Sequence, residues 1–373
     1  MTYQAPSGLG AGDVLLCFLP EHMLPDETWA KKIESKFPGL KARYLAQEEP
    51  ETGDVRDINS IPQDLWPGVT VLASLYPPDT DKIPNIRFVQ VPSSGADRWI
   101  KHDIYKKPGV VLCTSNGTHA PQIAEWVIGT WIMARHQFLA YAGYMKDGSG
   151  WAHRTDHQGD DSTGTRVGIL GYGAIGRQVA RIATSLGMEV YAYTRGEKTT
   201  AAARFDDSYC VEGTGDAEGK LPAKWFHGSS RAAVNDFLSQ DLDLLVVATP
   251  LTSATTGLLD TEQFACLSQA RKDNGKAGTY IVNIARGKVI STDALLVALK
   301  TNQISGAALD VTDPEPLPED HELWHAPNVF IAPHVSWHSS HMRQRALSIL
   351  ETNLARLHSG EPLVNVINKE FNY

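Results

Sequence analysis

The stretch from Arg166 to Ala180, RVGILGYGAIGRQVA, limits what this chain can fold into more sharply than any other. Val167 to Leu170 is a short apolar run of the kind that makes a buried parallel strand, and it leads directly into Gly171, Gly173 and Gly176. The spacing predicts a strand, a tight turn and a helix. Gly171 permits the turn, Gly173 lets a pyrophosphate approach the backbone, and Gly176 lets the helix press on its strand. The bare amides of Gly173, Ala174 and Ile175 at the helix start attract phosphate. Glycines also punctuate ordinary turns, so the flanking residues decide. Val179, Ala180, Ile182, Ala183 and Leu186 give the helix a buried face, and a second strand, Met188 to Tyr193, follows at once. Dinucleotide binding requires this β-α-β unit.

With 373 residues, 42% of them apolar, the chain can bury a full core and is expected to form two domains. A formal net charge of −9 and the absence of a long basic run argue against a nucleic-acid surface. Partners are therefore expected to be small molecules or protein. The four cysteines, Cys17, Cys113, Cys210 and Cys266, are too dispersed for a disulfide framework or a C-x-x-C site. No apolar run approaches the roughly 20 residues that span a bilayer, and no basic segment followed by an apolar one opens the chain. The expectation is a cytoplasmic protein with no membrane association.

Taken in order, the sequence predicts strands at Asp13 to Leu19, Val69 to Leu75, Ile86 to Val91 and Val110 to Cys113, with a helix over Asp26 to Phe37. Beyond the third strand lie Ser94 and Gly95, whose amides could grip an anion or simply make a turn. No G-x-S-x-G elbow surrounds Ser93 or Ser94, which argues against a serine nucleophile. One long helix is expected from Pro121 to Lys146. Ile123, Val127, Trp131, Ala134 and Leu139 exceed what one sheet layer covers, which suggests a helix between domains that also meets a second subunit, with burial in a large core as the alternative. The stretch after Tyr193 has weak periodicity and reads as mostly surface insertion. Order returns with strands at Asp243 to Thr249, Tyr280 to Ile284, Ser305 to Asp310 and Val329 to Ile331. Helices are expected near Glu262 to Leu267, over Thr292 to Leu299 behind a Ser291 cap, and over Met342 to Leu357.

Arg286, Glu315 and His334 all fall near carboxyl ends of strands expected in the cofactor domain, where ligands of open α/β sheets gather. Reduction of a ketone needs a proton donor, a group to orient that donor, and a cationic fork for the carbonyl and a neighbouring carboxylate. His, Glu and Arg meet those needs in turn. Each alone has an ordinary structural reading. His334, His338 and His341 could instead ligate a metal, but Val335 stands where a zinc-protease helix would carry Glu, and no metal is expected.

The stretches SSGADRW, APQIAEWVIG, RVGILGYGAIGRQVA, VATPLTSATTGLL, IVNIARGKVIS, GAALDVTDPEPLP, NVFIAPHVSW and the closing NVINKEFNY together resemble the D-isomer-specific 2-hydroxyacid dehydrogenase family over nearly the whole chain. The resemblance implies two doubly wound parallel-sheet domains. A Rossmann-type dinucleotide-binding domain (residues 120–335) is inserted into a discontinuous flavodoxin-like substrate domain (1–119 and 336–373). It implies Arg286 for the substrate carboxyl and carbonyl, His334 as proton donor and Glu315 as its support. Asp310 is implied near the nicotinamide, with Thr249, Pro250 and Ala285 also lining the cofactor, and Ser94 and Gly95 as a carboxylate cradle. Ser336, Trp337 and His338 replace the small residues usual after the histidine, so Trp337 is expected to touch substrate and bears on its size. The implied reaction moves a hydride between NADPH or NADH and a small 2-oxo acid, as in glyoxylate and hydroxypyruvate reductases, in a homodimer. Corepressors of the same superfamily keep these residues while acting as cofactor-sensing scaffolds, and remain the alternative. At the ribose 2′ position, where NAD enzymes carry an acidic residue, this chain has Thr194, followed by Arg195 and Lys198. That predicts NADP as the preferred cofactor, with NAD possible.

Overall fold

The computed structural model describes residues 8–370, so the last three residues of the NVINKEFNY stretch lie outside the described residues. The chain divides into two units, one comprising residues 8–119, 207–211 and 339–370, the other 120–206 and 212–338.

The first unit is built on five strands: β1 (Val14–Leu19), β2 (Lys41–Ala46), β3 (Val69–Ser74), β4 (Phe88–Val91) and β5 (Val111–Thr114). They pair in parallel in the order β2-β1-β3-β4-β5, a flavodoxin-like winding. All six residues of β1 are buried, as expected of a central strand covered on both faces. Helices α1 (Glu27–Lys36), α2 (Asp103–Lys106) and the last helix of the chain, α10 (Met342–Ser359), complete the unit. Asp26 caps α1 by accepting the Trp29 amide at 2.8 Å. Buried Asn353 fixes α10 to the sheet, donating to Gln90 Oε1 at 2.9 Å and accepting the Val364 amide at 2.8 Å.

The second unit opens with α3 (Ala120–Arg135) and α4 (Phe138–Asp147), then alternates β6 (Arg166–Leu170), α5 (Ala174–Ser185), β7 (Glu189–Thr194), α6 (Ala201–Arg204), β8 (Lys224–His227), α7 (Arg231–Leu238), β9 (Leu244–Val247), α8 (Thr261–Asp273), β10 (Thr279–Asn283), α9 (Thr292–Lys300), β11 (Ile304–Leu309) and β12 (Val329–Ile331). The seven strands run parallel in the order β12-β11-β10-β9-β6-β7-β8. The winding reverses between β6 and β9, so a ligand crevice belongs at their carboxyl ends. One sheet face is covered by Val127 and Trp131 of α3 with Val179 and Ala183 of α5, the other by Phe237, Phe264 and Leu295 of α7, α8 and α9.

The structure departs from the sequence reading in three places. The single helix expected from Pro121 to Lys146 is two, broken at Gln137, whose backbone is left-handed (φ 56°, ψ 34°). The apolar residues of α3 are spent on this unit's own core: Ile123, Val127 and Trp131 are buried, and the Trp131 indole donates to Ser162 Oγ at 2.9 Å. Within this stretch the exposed large apolar side chains lie on and after α4, which buries no residue.

The stretch after Tyr193, read as mostly surface insertion, supplies an edge strand, β8, and is tied to the glycine turn. Tyr172 Oη donates to Asp216 Oδ2 at 2.8 Å, Gln178 Oε1 accepts the Gly215 amide at 2.6 Å, and Arg177 pairs with Asp206 at 3.1 Å. Burial and the Asp216 carboxylate push the Tyr172 phenol up, so it stays a donor. Residues 207–211 group with the first unit, where the Tyr209 amide donates to Asn365 Oδ1 at 3.2 Å. Finally, the second unit runs to His338 rather than ending at 335, because side chains of that unit hold residues 335–337.

Candidate active site

The three glycines of the dinucleotide turn meet three separate demands. Gly171 has φ 109°, and a Cβ there would lie 2.7 Å from the Ala248 carbonyl carbon. Gly176 would press its Cβ to 2.5 Å from the Gly171 oxygen. Around a Cβ at Gly173 there is nothing within 4 Å, so the backbone there faces open space. Gly173 is also the N-cap of α5 and has no side chain to satisfy the amides of Ala174 and Ile175. Next to this turn, at the end of β9, Thr249 Oγ1 is buried without a hydrogen-bond partner, and Pro250 follows it. Open backbone at a helix start and an orphaned hydroxyl beside it are what a dinucleotide pyrophosphate would fill, so these residues fit such a cofactor.

At the end of β7, Thr194 Oγ1 donates to the Gly196 carbonyl at 2.7 Å, and Arg195 is exposed. Arg204 Nε donates to the Lys198 carbonyl at 2.8 Å and so folds the loop that carries these cations. Glu197 lies 3.7 Å from His227 Nε2, a partner of opposite sign when that ring is protonated.

The chemistry-bearing residues of this unit come from the loops after β10, β11 and β12. Buried Asn283 shapes the first, accepting the Ala285 amide at 3.1 Å and donating to the Arg286 carbonyl at 3.2 Å. Arg286 Nη1 donates to the Ala285 carbonyl at 2.8 Å, and the residue is half-buried. A Cβ at Gly287 would strike the Thr312 carbonyl, so only glycine lets the Arg286 turn lie against the loop leading to Glu315. Glu315 Oε1 meets His334 Nδ1 at 2.7 Å. With Nδ1 donating to the carboxylate, Nε2 is the ring atom left for a ligand.

His334 has a left-handed backbone, φ 56°. Its amide donates to the Asp310 and Ala332 carbonyls, both at 2.9 Å. The Asp310 side chain, 2% exposed, accepts the amides of Val335 and Ser336 at 2.8 and 2.9 Å and the Ser336 hydroxyl at 2.5 Å. Asp310 thus organises the turn that presents His334, a task sequence reasoning missed. The Trp337 indole donates to the His334 carbonyl at 2.8 Å, and Gln122 Nε2 of α3 donates to the Trp337 carbonyl at 2.8 Å. Nothing in the sequence signals Gln122, which lies 215 positions from its partner.

Ser94 and Gly95 belong to the first unit, just after β4. The Ser93 hydroxyl donates to the Gly95 carbonyl at 2.7 Å and closes their turn, leaving the exposed Ser94 at its tip. Elsewhere in that unit burial pushes the His119 imidazole down to about 4, so this histidine is uncharged at neutral pH and is no counterpart to His334 as a proton donor.

The model of the D-isomer specific 2-hydroxyacid dehydrogenase NAD-binding domain matches residues 128–212 and 220–336, over half of the chain. A hydroxypyruvate reductase of Blautia hydrogenotrophica is 29% identical over 78% of this chain and 80% of its own length. A glyoxylate reductase of Thermofilum pendens is 27% identical over 78% of this chain and 77% of its own. A D-isomer specific 2-hydroxyacid dehydrogenase from Xanthobacter autotrophicus, solved with NADPH and MES, shares the fold at TM-score 0.69, with 24% identity over 100% of both chains. An NADPH-dependent glyoxylate/hydroxypyruvate reductase from Sinorhizobium meliloti, solved with NADP and sulfate, shares it at TM-score 0.65, with 23% identity over 97% of this chain and 100% of that one. The chain therefore belongs to the D-isomer-specific 2-hydroxyacid dehydrogenase family and is an NAD(P)-dependent oxidoreductase acting between 2-oxo acids and D-2-hydroxy acids.

Proposed function

We propose that this dehydrogenase reduces short 2-oxo acids of the glyoxylate and hydroxypyruvate type, with NADPH as the preferred donor. The observation that carries the reading is the 2.7 Å bond between His334 Nδ1 and Glu315, which leaves Nε2 as the proton-delivering atom. When bound, the nicotinamide supplies the hydride. Arg286 donates N–H bonds to the substrate carbonyl and carboxylate, polarising the first and fixing the second. His334, as the imidazolium, passes its Nε2 proton to the oxygen that becomes the hydroxyl, and Glu315 keeps the ring from turning. Ser94 and Gly95 are read as amides for the substrate carboxylate. The amides of Gly173, Ala174 and Ile175 would hold the pyrophosphate, while Thr249, Pro250, Ala285 and Asp310 would line the dinucleotide. The names of the relatives support the substrate class. The test is turnover of a panel of 2-oxo acids with NADPH and chiral analysis of the product. Glyoxylate and hydroxypyruvate should lead the panel and chiral products should be D; preference for a long branched acid rejects the substrate class.

A homodimer is part of the same proposal. Phe138, Leu139, Met145 and Trp151 are 53%, 51%, 78% and 87% exposed, apolar side chains on and after α4 that a second copy would cover. Light scattering across a dilution series should give twice the chain mass; a mass of 40.8 kDa persisting at high concentration rejects it. The cytoplasmic assignment rests on the free cysteines, two of them buried, and on the absence among the described residues of a helix able to cross a membrane. Cell fractionation checks it.

A further inference from the structure

We infer that Trp337 is a positioning residue for His334: its indole N–H clamps the His334 carbonyl and so holds the left-handed backbone from which the imidazole reaches Glu315. The inference rests on the reading of His334 as the proton donor.

A left-handed backbone at a residue with a Cβ is not kept by local preference, so surrounding bonds must hold it. At His334 they grip both sides of the residue. Its amide is bonded to the carbonyls of Asp310 and Ala332, and its own carbonyl accepts the Trp337 indole at 2.8 Å. Trp337 is itself fastened. Its carbonyl accepts the Gln122 amide group at 2.8 Å, its ring packs against the core shared by α3 and α5, and the His338 ring meets it edge-on with centroids 4.0 Å apart. The indole therefore acts as a strut between helix α3 and the backbone of His334. Rotation of that backbone toward ordinary negative φ would swing the imidazole and lengthen the 2.7 Å bond to Glu315. The large ring in a place where small residues would suffice for a turn thus has a mechanical reason, distinct from filling substrate space.

The experiment is Trp337→Phe, which keeps an aromatic ring and removes the N–H. We expect kcat to fall about tenfold, part of what an aligned general acid contributes, while KM for the 2-oxo acid changes less than twofold. In 15N-histidine-labelled protein the His334 Nδ1–H signal, shifted by its carboxylate partner, should move toward that of a solvent-bonded imidazole. Gln122→Leu removes one anchor of Trp337 and should shift the same signal in the same direction by less. It carries the test if Trp337→Phe fails to fold. An unchanged kcat with an unmoved Nδ1–H signal overturns the inference, as does a rise in KM alone, which would make Trp337 a substrate contact. Should His334→Ala retain native turnover, the proton-donor reading itself fails; should that variant be inactive while the strut variants behave as wild type, only the strut is wrong.

Discussion

Replacing His334 by Ala is expected to lower kcat by about 10²–10⁴-fold, the usual contribution of a positioned general acid, while the protein folds normally. The second half of that statement follows from the environment. The imidazole is 38% exposed and its partner Glu315 42%, so the pair lies at a surface rather than inside the core, and its loss opens no cavity. Alanine at a left-handed position is somewhat strained, yet the amide bonds to Asp310 and Ala332 survive the change. The measured fall should therefore reside in kcat with binding of the dinucleotide intact, because the glycine turn lies on a different loop. Steady-state kinetics with a circular dichroism control decides the matter. Near-native turnover in a folded variant would remove His334 from the mechanism, and the 2.7 Å contact with Glu315 would be a structural pair only.

How much of this could be read beforehand depended on whether the information was local. The glycine turn was legible because three close-range demands fall within six residues, and each reappears as a distinct steric fact at Gly171, Gly173 and Gly176. Buried strands such as β1 and β9 announced themselves as unbroken apolar runs. Strand β2, KARYLA, escaped notice because it is an edge strand, only partly covered, whose mixed residues carry no apolar run. The break between α3 and α4 was hidden for a related reason: His136 and Gln137 are neither Gly nor Pro, and nothing in the side chains marks Gln137 as left-handed. The site divides in the same way. Arg286, Glu315 and His334 could be named from motif and chemistry. Asp310 as the organiser of the His334 turn and Gln122 as the anchor of Trp337 depend on pairings 26 and 215 positions apart, which only the folded chain reveals.

The wild-type enzyme is expected to prefer NADPH over NADH in kcat/KM, and the double variant Thr194→Asp with Arg195→Ala to shift that ratio toward NADH by about 10–100-fold. Two opposed effects set the magnitude. A carboxylate at the end of the second strand accepts the ribose hydroxyls of NADH and repels a 2′-phosphate, whereas a guanidinium binds the phosphate through charge-assisted bonds worth about 1.5–3 kcal/mol. Since about 1.4 kcal/mol is tenfold, removing the attraction accounts for most of the shift, and the restored repulsion adds to it. The expectation rests on the residues around this position. Thr194 brings a hydroxyl rather than a charge, and its bond to Gly196 at 2.7 Å closes the turn that carries Arg195. Arg204 grips the Lys198 carbonyl and so shapes the rest of that loop. Glu197, whose charge would oppose a phosphate, has His227 3.7 Å away as a competing partner. Thr194 is the half-buried last residue of β7 and Arg195 is exposed just beyond it, so a thermal melt of the double variant beside the kinetics separates altered preference from unfolding. Calorimetric titration with 2′,5′-ADP against 5′-AMP reads the same contacts without turnover: the phosphorylated nucleotide should bind more tightly to the wild type and lose that advantage in the double variant. If the wild type bound both equally and used NADH better, the loop would have no phosphate site, Arg195 would serve only as a surface charge, and membership of the dehydrogenase family would be untouched, because it rests on the glycine turn and the match over residues 128–212 and 220–336.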